Sequence, residues 1–211
     1  MRWILVSCLA ILLSACGDKS APQQTTDART RADSPAPTPA PAPAPGEPPE
    51  GASAQLAATQ GNEAHGSLAL ASSPQGVRIM GVVQGLRPNG EFGFHVHEKG
   101  DCSAADASSA GAHFNPTDQP HGDPRGAADR RHLGDMVNLR SDAQGVANVE
   151  TTIAGATLHT GEPTDILGKA IVVHEKPDDY QSQPSGDSGS RIACGVIGIA
   201  AANVQTEADS G

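Results

Sequence analysis

Between about residue 53 and residue 201 the chain is written as short apolar runs separated by clusters of Gly, Pro, Asn and Asp, and no window of a dozen residues carries a helical stripe. In Val77-Arg78-Ile79-Met80-Gly81-Val82-Val83 the β-branched residues fall at alternate positions, the pattern of a half-buried strand. Gly93-Phe94-His95-Val96-His97 alternates likewise, and Ile171–His174 and Ile192–Ile197 are further strand candidates. Two long turn-rich segments, 98–134 and 175–190, interrupt these runs. Loops of that length inside a compact domain are usually functional. Aromatic residues are only 2% of the chain, so the core has to be built from Val, Ile, Leu and Ala. An all-β domain is expected over 53–201.

The flanks say where such a domain works. Arg2 precedes a mostly apolar run of 11 residues, Trp3 to Leu13. It is too short to span a bilayer as a helix, which needs ~20 residues, and reads as an export signal. Leu13-Ser14-Ala15-Cys16 resembles a bacterial lipobox. That resemblance implies cleavage of residues 1–15 and acylation of Cys16; a plain secretory peptide cut near Ala15 is the alternative. Gly17, rather than Asp, follows the cysteine, which is compatible with sorting to the outer membrane, facing the periplasm, of a Gram-negative-type envelope. Residues 17–52 alternate Pro with Ala over a long stretch and offer nothing to bury. Proline favours polyproline II at ~3.1 Å per residue, so this linker could hold the domain up to about 100 Å from its anchor. The tail 202–211 is short and polar and is expected to be disordered. A net charge of −10 makes nucleic acid an unsuitable partner.

Histidines carry the chemistry. His95 and His97 lie two apart on a strand, so they share a face at a spacing of roughly 6.6 Å and can reach one metal. Four more histidines and an aspartate follow: His113 in GAHFNP, His121 in HGDP, His132 and Asp135 in HLGD, and His174 in VVHEKPDD. SRIACGVIGIA (190–200) closes the set. From about Val77 to Ala200 the chain resembles the copper–zinc superoxide dismutases.

That resemblance implies a Greek-key β-barrel or sandwich of about eight antiparallel strands with two long functional loops. It implies copper on His95, His97, His113 and His174, and zinc on His113, His121, His132 and Asp135. Nitrogen-rich sites suit copper, and three imidazoles with one carboxylate suit structural zinc. His113 would bridge the metals and carry a proton during turnover. Asp178 would accept hydrogen bonds from His95 and His121, and Arg191 would attract superoxide beside the copper. His65 and His159 match no ligand motif.

Cysteine usage agrees with export. Cys8 would go with the signal and Cys16 would be acylated, which leaves Cys102 and Cys194 as one pair in an oxidising compartment. A structural disulfide is the favoured reading, worth about 4–5 kcal/mol by loop entropy, with a free or catalytic thiol as the alternative.

The chain departs from the family in two places. Its last loop, 178–191, has no lysine before Arg191 and gains Asp187, so weaker electrostatic steering of the anion is expected. Asp123 stands where relatives often have Gly, and is expected to face solvent. Residues 194–200 resemble the segment that forms the dimer contact in eukaryotic-type members, which leaves a homodimer open. The reading is therefore dismutation of superoxide to dioxygen and hydrogen peroxide by a membrane-anchored lipoprotein. The alternative is a copper-binding or storage protein of the same fold without turnover.

Overall fold

Antiparallel pairing joins every neighbouring pair of strands in the computed structural model, which describes residues 51–200. The expected signal peptide, Cys16, most of the linker and the tail 202–211 lie outside the described residues. The strands are β1 (Gly51–Ala58), β2 (His65–Ser73), β3 (Gly76–Gln84), β4 (Glu91–Phe92), β5 (Phe94–His97), β6 (Leu139–Arg140), β7 (Ala147–Ala154), β8 (Ala170–His174) and β9 (Arg191–Ile199). Seven of them form one sheet in the order β5-β8-β9-β1-β2-β3-β7, and β4 pairs with β6. β4 runs on through Gly93 into β5, so the two read as one interrupted strand and the barrel has the expected eight. After β3 the chain crosses to the far end of the sheet and β7 returns to pair with β3, a Greek-key connection.

Alternation decides which face is buried. Val77, Ile79 and Val83 of β3 are buried, whereas Met80 and Val82 are exposed. Leu68 and Leu70 on β2 and Val149 and Ile153 on β7 join the same core, each buried aliphatic side chain contributing about 1.5–3 kcal/mol. All three phenylalanines, Phe92, Phe94 and Phe114, also lie in it. The strand β1 begins two residues before the expected domain start. Gly51 and Ala52 pair with Ala71 and Leu70, because Ala52 has a core position to fill.

One expectation needs correcting. Gly93–His97 reads as half-buried, yet β5 and β8 are buried on both faces. Phe94, Val96, Ile171 and Val173 point into the main core. On the opposite face Ala170 and Val172 pack with Ala107, Ala110 and Cys194 in a second cluster. The segment between β5 and β6 folds back over that face, and His95 and His97 are trapped beneath it.

Candidate metal centre

The two long loops converge on the covered face of β5 and β8. The segment 98–138, between β5 and β6, supplies His113, His121, His132 and Asp135. The segment 175–190, between β8 and β9, supplies Asp178. His95 and His97 come from β5 and His174 from the end of β8. Isolated bridges join His97 to His113 and His95 to Asp135, and thus pin the loop to the strand. Gly134 permits the close approach: a Cβ there would lie 2.3 Å from the Val96 carbonyl oxygen.

All seven side chains are buried, and they form two groups. In one, a nitrogen from each of His95, His97, His113 and His174 lies within 4.8 Å of the others. In the other, His113, His121, His132 and Asp135 do the same. His113 belongs to both.

Hydrogen bonds fix which nitrogen each ring presents. The Gly111 carbonyl accepts from His97 Nδ1 at 3.0 Å, and the Gly189 carbonyl from His174 Nδ1 at 3.2 Å. A carbonyl can only accept, so both Nε2 atoms carry lone pairs. Those two atoms face each other at 3.3 Å, an arrangement that calls for a cation between them. His95 Nε2 and His121 Nε2 meet the two oxygens of Asp178 at 2.8 and 2.9 Å. Their Nδ1 atoms, together with His113 Nε2 and His132 Nδ1, are buried without a hydrogen-bond partner. Buried polar atoms are seldom left unpaired, so converging orphans mark a ligand. His121 Nδ1 lies 3.0 Å from Asp135 Oδ1 but outside hydrogen-bond geometry, as two ligands of one ion would. The donor set thus fits one metal on nitrogen alone and a second on three nitrogens and an oxygen.

Electrostatics favours the ligating protonation state at His95, His97, His113, His174 and Asp135, and opposes it at His121. Burial holds His95, His97 and His174 below the ordinary imidazole range, so they stay neutral. Burial also takes His113 down to about 4 against the pull of Asp135. At Asp135 burial opposes ionisation, but a hydrogen bond from His113 and the close His121 and His132 rings hold the carboxyl well below its usual range. At His121 burial is outweighed by Asp135 and Asp178, which raise it to about 9.

Arg191 is half-buried at the start of β9. Its Nη1 donates to the Ala107 carbonyl at 2.5 Å and its Nη2 to the Gly111 carbonyl at 2.6 Å. The Cys102–Cys194 disulfide ties the acceptor segment to the strand that carries Arg191. Asp123 turns away from the centre and pairs with Arg125 through two bonds of 2.8 Å. His65 is exposed and bonds the Glu63 carbonyl, and neither it nor His159 enters a metal group among the described residues.

Two positioning residues carry no sequence signal. The Asn138 side-chain amide donates to the Asp178 carbonyl and accepts from the Asp178 N–H, both at 2.9 Å. The Gln183 amide does the same to His121, again with two bonds of 2.9 Å. Gly186 also carries no sequence signal. Its φ is +66°, and a Cβ there would collide with Asp178 Oδ1.

Comparison with known proteins agrees with this geometry. Residues 64–197 match the copper/zinc superoxide dismutase (SODC) family. The chain is 42% identical over 151 residues to superoxide dismutase [Cu-Zn] 2 of Aquifex aeolicus, covering 69% of this chain and 85% of that one. It is 43% identical over 130 residues to superoxide dismutase [Cu-Zn] of Schizosaccharomyces pombe, covering 59% and 81%. A crystal structure of a SOD-like protein from Bacillus subtilis superimposes with a TM-score of 0.62 at 36% identity, over 68% of this chain and 95% of that one. With two histidine-rich groups joined through one ring and a match spanning most of the barrel, the chain belongs to the copper/zinc superoxide dismutase family.

Proposed function

We propose that this protein is a superoxide dismutase that takes two superoxide anions and two protons to dioxygen and hydrogen peroxide. The observation that carries the reading is the set of orphaned imidazole nitrogens facing one another in two groups that share His113. His95, His97, His113 and His174 would hold copper, and His113, His121, His132 and Asp135 zinc, with His113 bridging. Copper supplies the one-electron couple that dismutation needs, which zinc lacks.

The chain's own groups do the rest. Arg191 spends one N–H on each of two carbonyls and keeps others of its five donors for an anion. Nε2 of His113 is the atom from which a proton reaches the substrate, since Nδ1 faces Asp135 at 2.9 Å. Asp178 fixes His95 and His121 together, and such partners set ring orientation and basicity.

The same reading includes acylation at Cys16, with residues 17–52 as a spacer that lets the domain stand off an outer membrane on its periplasmic side. Val196, exposed on the outer face of β9, supports pairing with a second copy. Superoxide decay after pulse radiolysis tests the activity. The full chain loaded with copper and zinc should accelerate decay in a metal-dependent way; decay no faster than in buffer, with both metals bound, overturns the proposal. Incorporation of labelled palmitate that is lost in Cys16→Ser tests the anchor.

A further inference from the structure

We infer that a cleft on the outer side of the zinc-ligand segment, built around Arg131, binds a small monocarboxylate. Arg131 is the one fully buried arginine among the described residues, at 5% exposure. Of the exposed arginines, Arg78, Arg125 and Arg140 pair with a carboxylate, at 2.6, 2.8 and 2.6 Å, and Arg87 and Arg130 do not. Arg131 has no carboxylate oxygen within 4.0 Å among the described residues. This reverses what solvation favours, because an exposed cation needs no partner and a buried one does.

Its donors are only partly used. Nη1 donates to the His132 carbonyl at 3.3 Å and Nη2 to the Ala154 carbonyl at 3.1 Å, whereas Nε is buried with no acceptor. A guanidinium has five N–H groups, so with two used and Nε enclosed, one N–H on each Nη is left for an anion. The backbone at Arg131 is extended, φ −155° and ψ 155°, so its side chain points the opposite way from that of His132. Arg131 therefore lies outside the metal groups although it adjoins a ligand in sequence.

The side chain lines a cleft of about 350 Å³, at the small end of the range for ligand pockets. Thr117, Gln119 and Thr164 supply further polar groups in the wall, and Leu133 and Ala128 an apolar part. Asp129 also lines it. One cation facing one nearby acid suits a monoanion better than a dianion, and the apolar wall suits a short hydrocarbon chain. A planar carboxylate matches the guanidinium fork. Once bound, it would complete the charge of a residue that ties the zinc-ligand segment to the end of β7.

Butyrate titrated into the metal-loaded full chain tests this, with chloride holding ionic strength constant. Calorimetry should show saturable binding of one butyrate. Arg131→Met keeps the buried alkyl packing, and should weaken binding roughly tenfold or more, as loss of a charge-assisted hydrogen bond does. Amide shifts in the wild-type NMR spectrum should centre on Thr117, Gln119, Leu133 and Thr164, a readout that does not depend on the variant folding. No saturable heat beyond the chloride control overturns the proposal. So does binding that survives in Arg131→Met but disappears in Arg191→Ala, which would put the anion at the metal face.

Discussion

Arg191 and His97 hold the same atom: the Gly111 carbonyl accepts from the guanidinium Nη2 at 2.6 Å and from the imidazole Nδ1 at 3.0 Å. The group proposed to receive the anion is thus built onto the acceptor that orients a candidate ligand ring. A lysine keeps the charge but cannot reach the Ala107 and Gly111 carbonyls together. Arg191→Lys should therefore retain copper, lower the dismutation rate roughly tenfold, and perturb the visible and EPR spectra of the copper site. An unchanged spectrum with a lowered rate would break the link between the two residues.

Gln183 holds the backbone of His121 through both its N–H and its carbonyl. Gln183→Ala removes both bonds and should weaken zinc retention roughly tenfold or more in competition with a chelator, in the range of other outer partners of metal ligands. Gln183→Glu can still accept from the His121 N–H but cannot donate to its carbonyl, so it should fall between. Equal zinc affinity in all three chains would reduce Gln183 to a loop-packing residue.

The disulfide can be tested apart from the metals. Cys194 lies three residues beyond Arg191 on β9, and Cys102 begins the segment whose carbonyls Arg191 holds. Cys102→Ser should lower the unfolding free energy by about 2–5 kcal/mol, read from the urea midpoint. It should also cost activity beyond what stability explains, because Ala107 and Gly111 would no longer be tied to the strand of Arg191.

What could be read in the sequence follows from which interactions leave a periodic trace. Val77–Val83, Ile171–His174 and Ile192–Ile197 announce β3, β8 and β9 because β-branched residues both prefer strands and mark the buried face. β1 and β2, GASAQLAA and HGSLALASS, are rich in Ala and Ser, which prefer neither, and they become strands through pairing with β9 and β3. The candidate ligands could be read because metal coordination restricts both residue type and spacing. Asn138 and Gln183 could not, since an amide that clamps backbone atoms has no required partner type. Nor could the second burial of β5, which depends on a loop of other residues lying over it.

Steering should be weak. Residues 53–201 carry 10 Lys and Arg against 17 Asp and Glu, and the loop 178–191 adds exposed Asp187 and no lysine. Lys169 has its ammonium on the Glu98 carbonyl at 3.1 Å and over the Phe114 ring. That leaves Lys176, whose side chain packs against Gly189, and Arg191 as the proposed local cations for the anion. Raising ionic strength from about 0.01 to 0.15 M shortens the screening length from roughly 30 to 8 Å, and should change the rate only modestly. A steep fall with salt would show a positive field that these residues do not account for.

The metal-free chain should lose stability in mild acid. His95, His97, His113 and His174 are held below the ordinary imidazole range chiefly by burial. Unfolding releases them to protonate near 6.5, so below that pH the unfolded state binds more protons and stability falls. His121 works in the opposite sense. Raised to about 9 by Asp135 and Asp178 against its burial, it stabilises fully below about 6.5 and loses that contribution as pH climbs towards 9. Asp135 and Asp178, both lowered, add a further loss only below the ordinary carboxylate range. Four depressed imidazoles outweigh one raised, so the urea midpoint of the metal-free chain should be lower at pH 5 than at pH 7. Metal-loaded protein should hold its midpoint further into acid until protons displace the ligands, and then fall more steeply. A metal-free midpoint that rises between pH 7 and pH 5 would mean that the imidazoles are charged when folded, and that the burial reading of the centre is wrong.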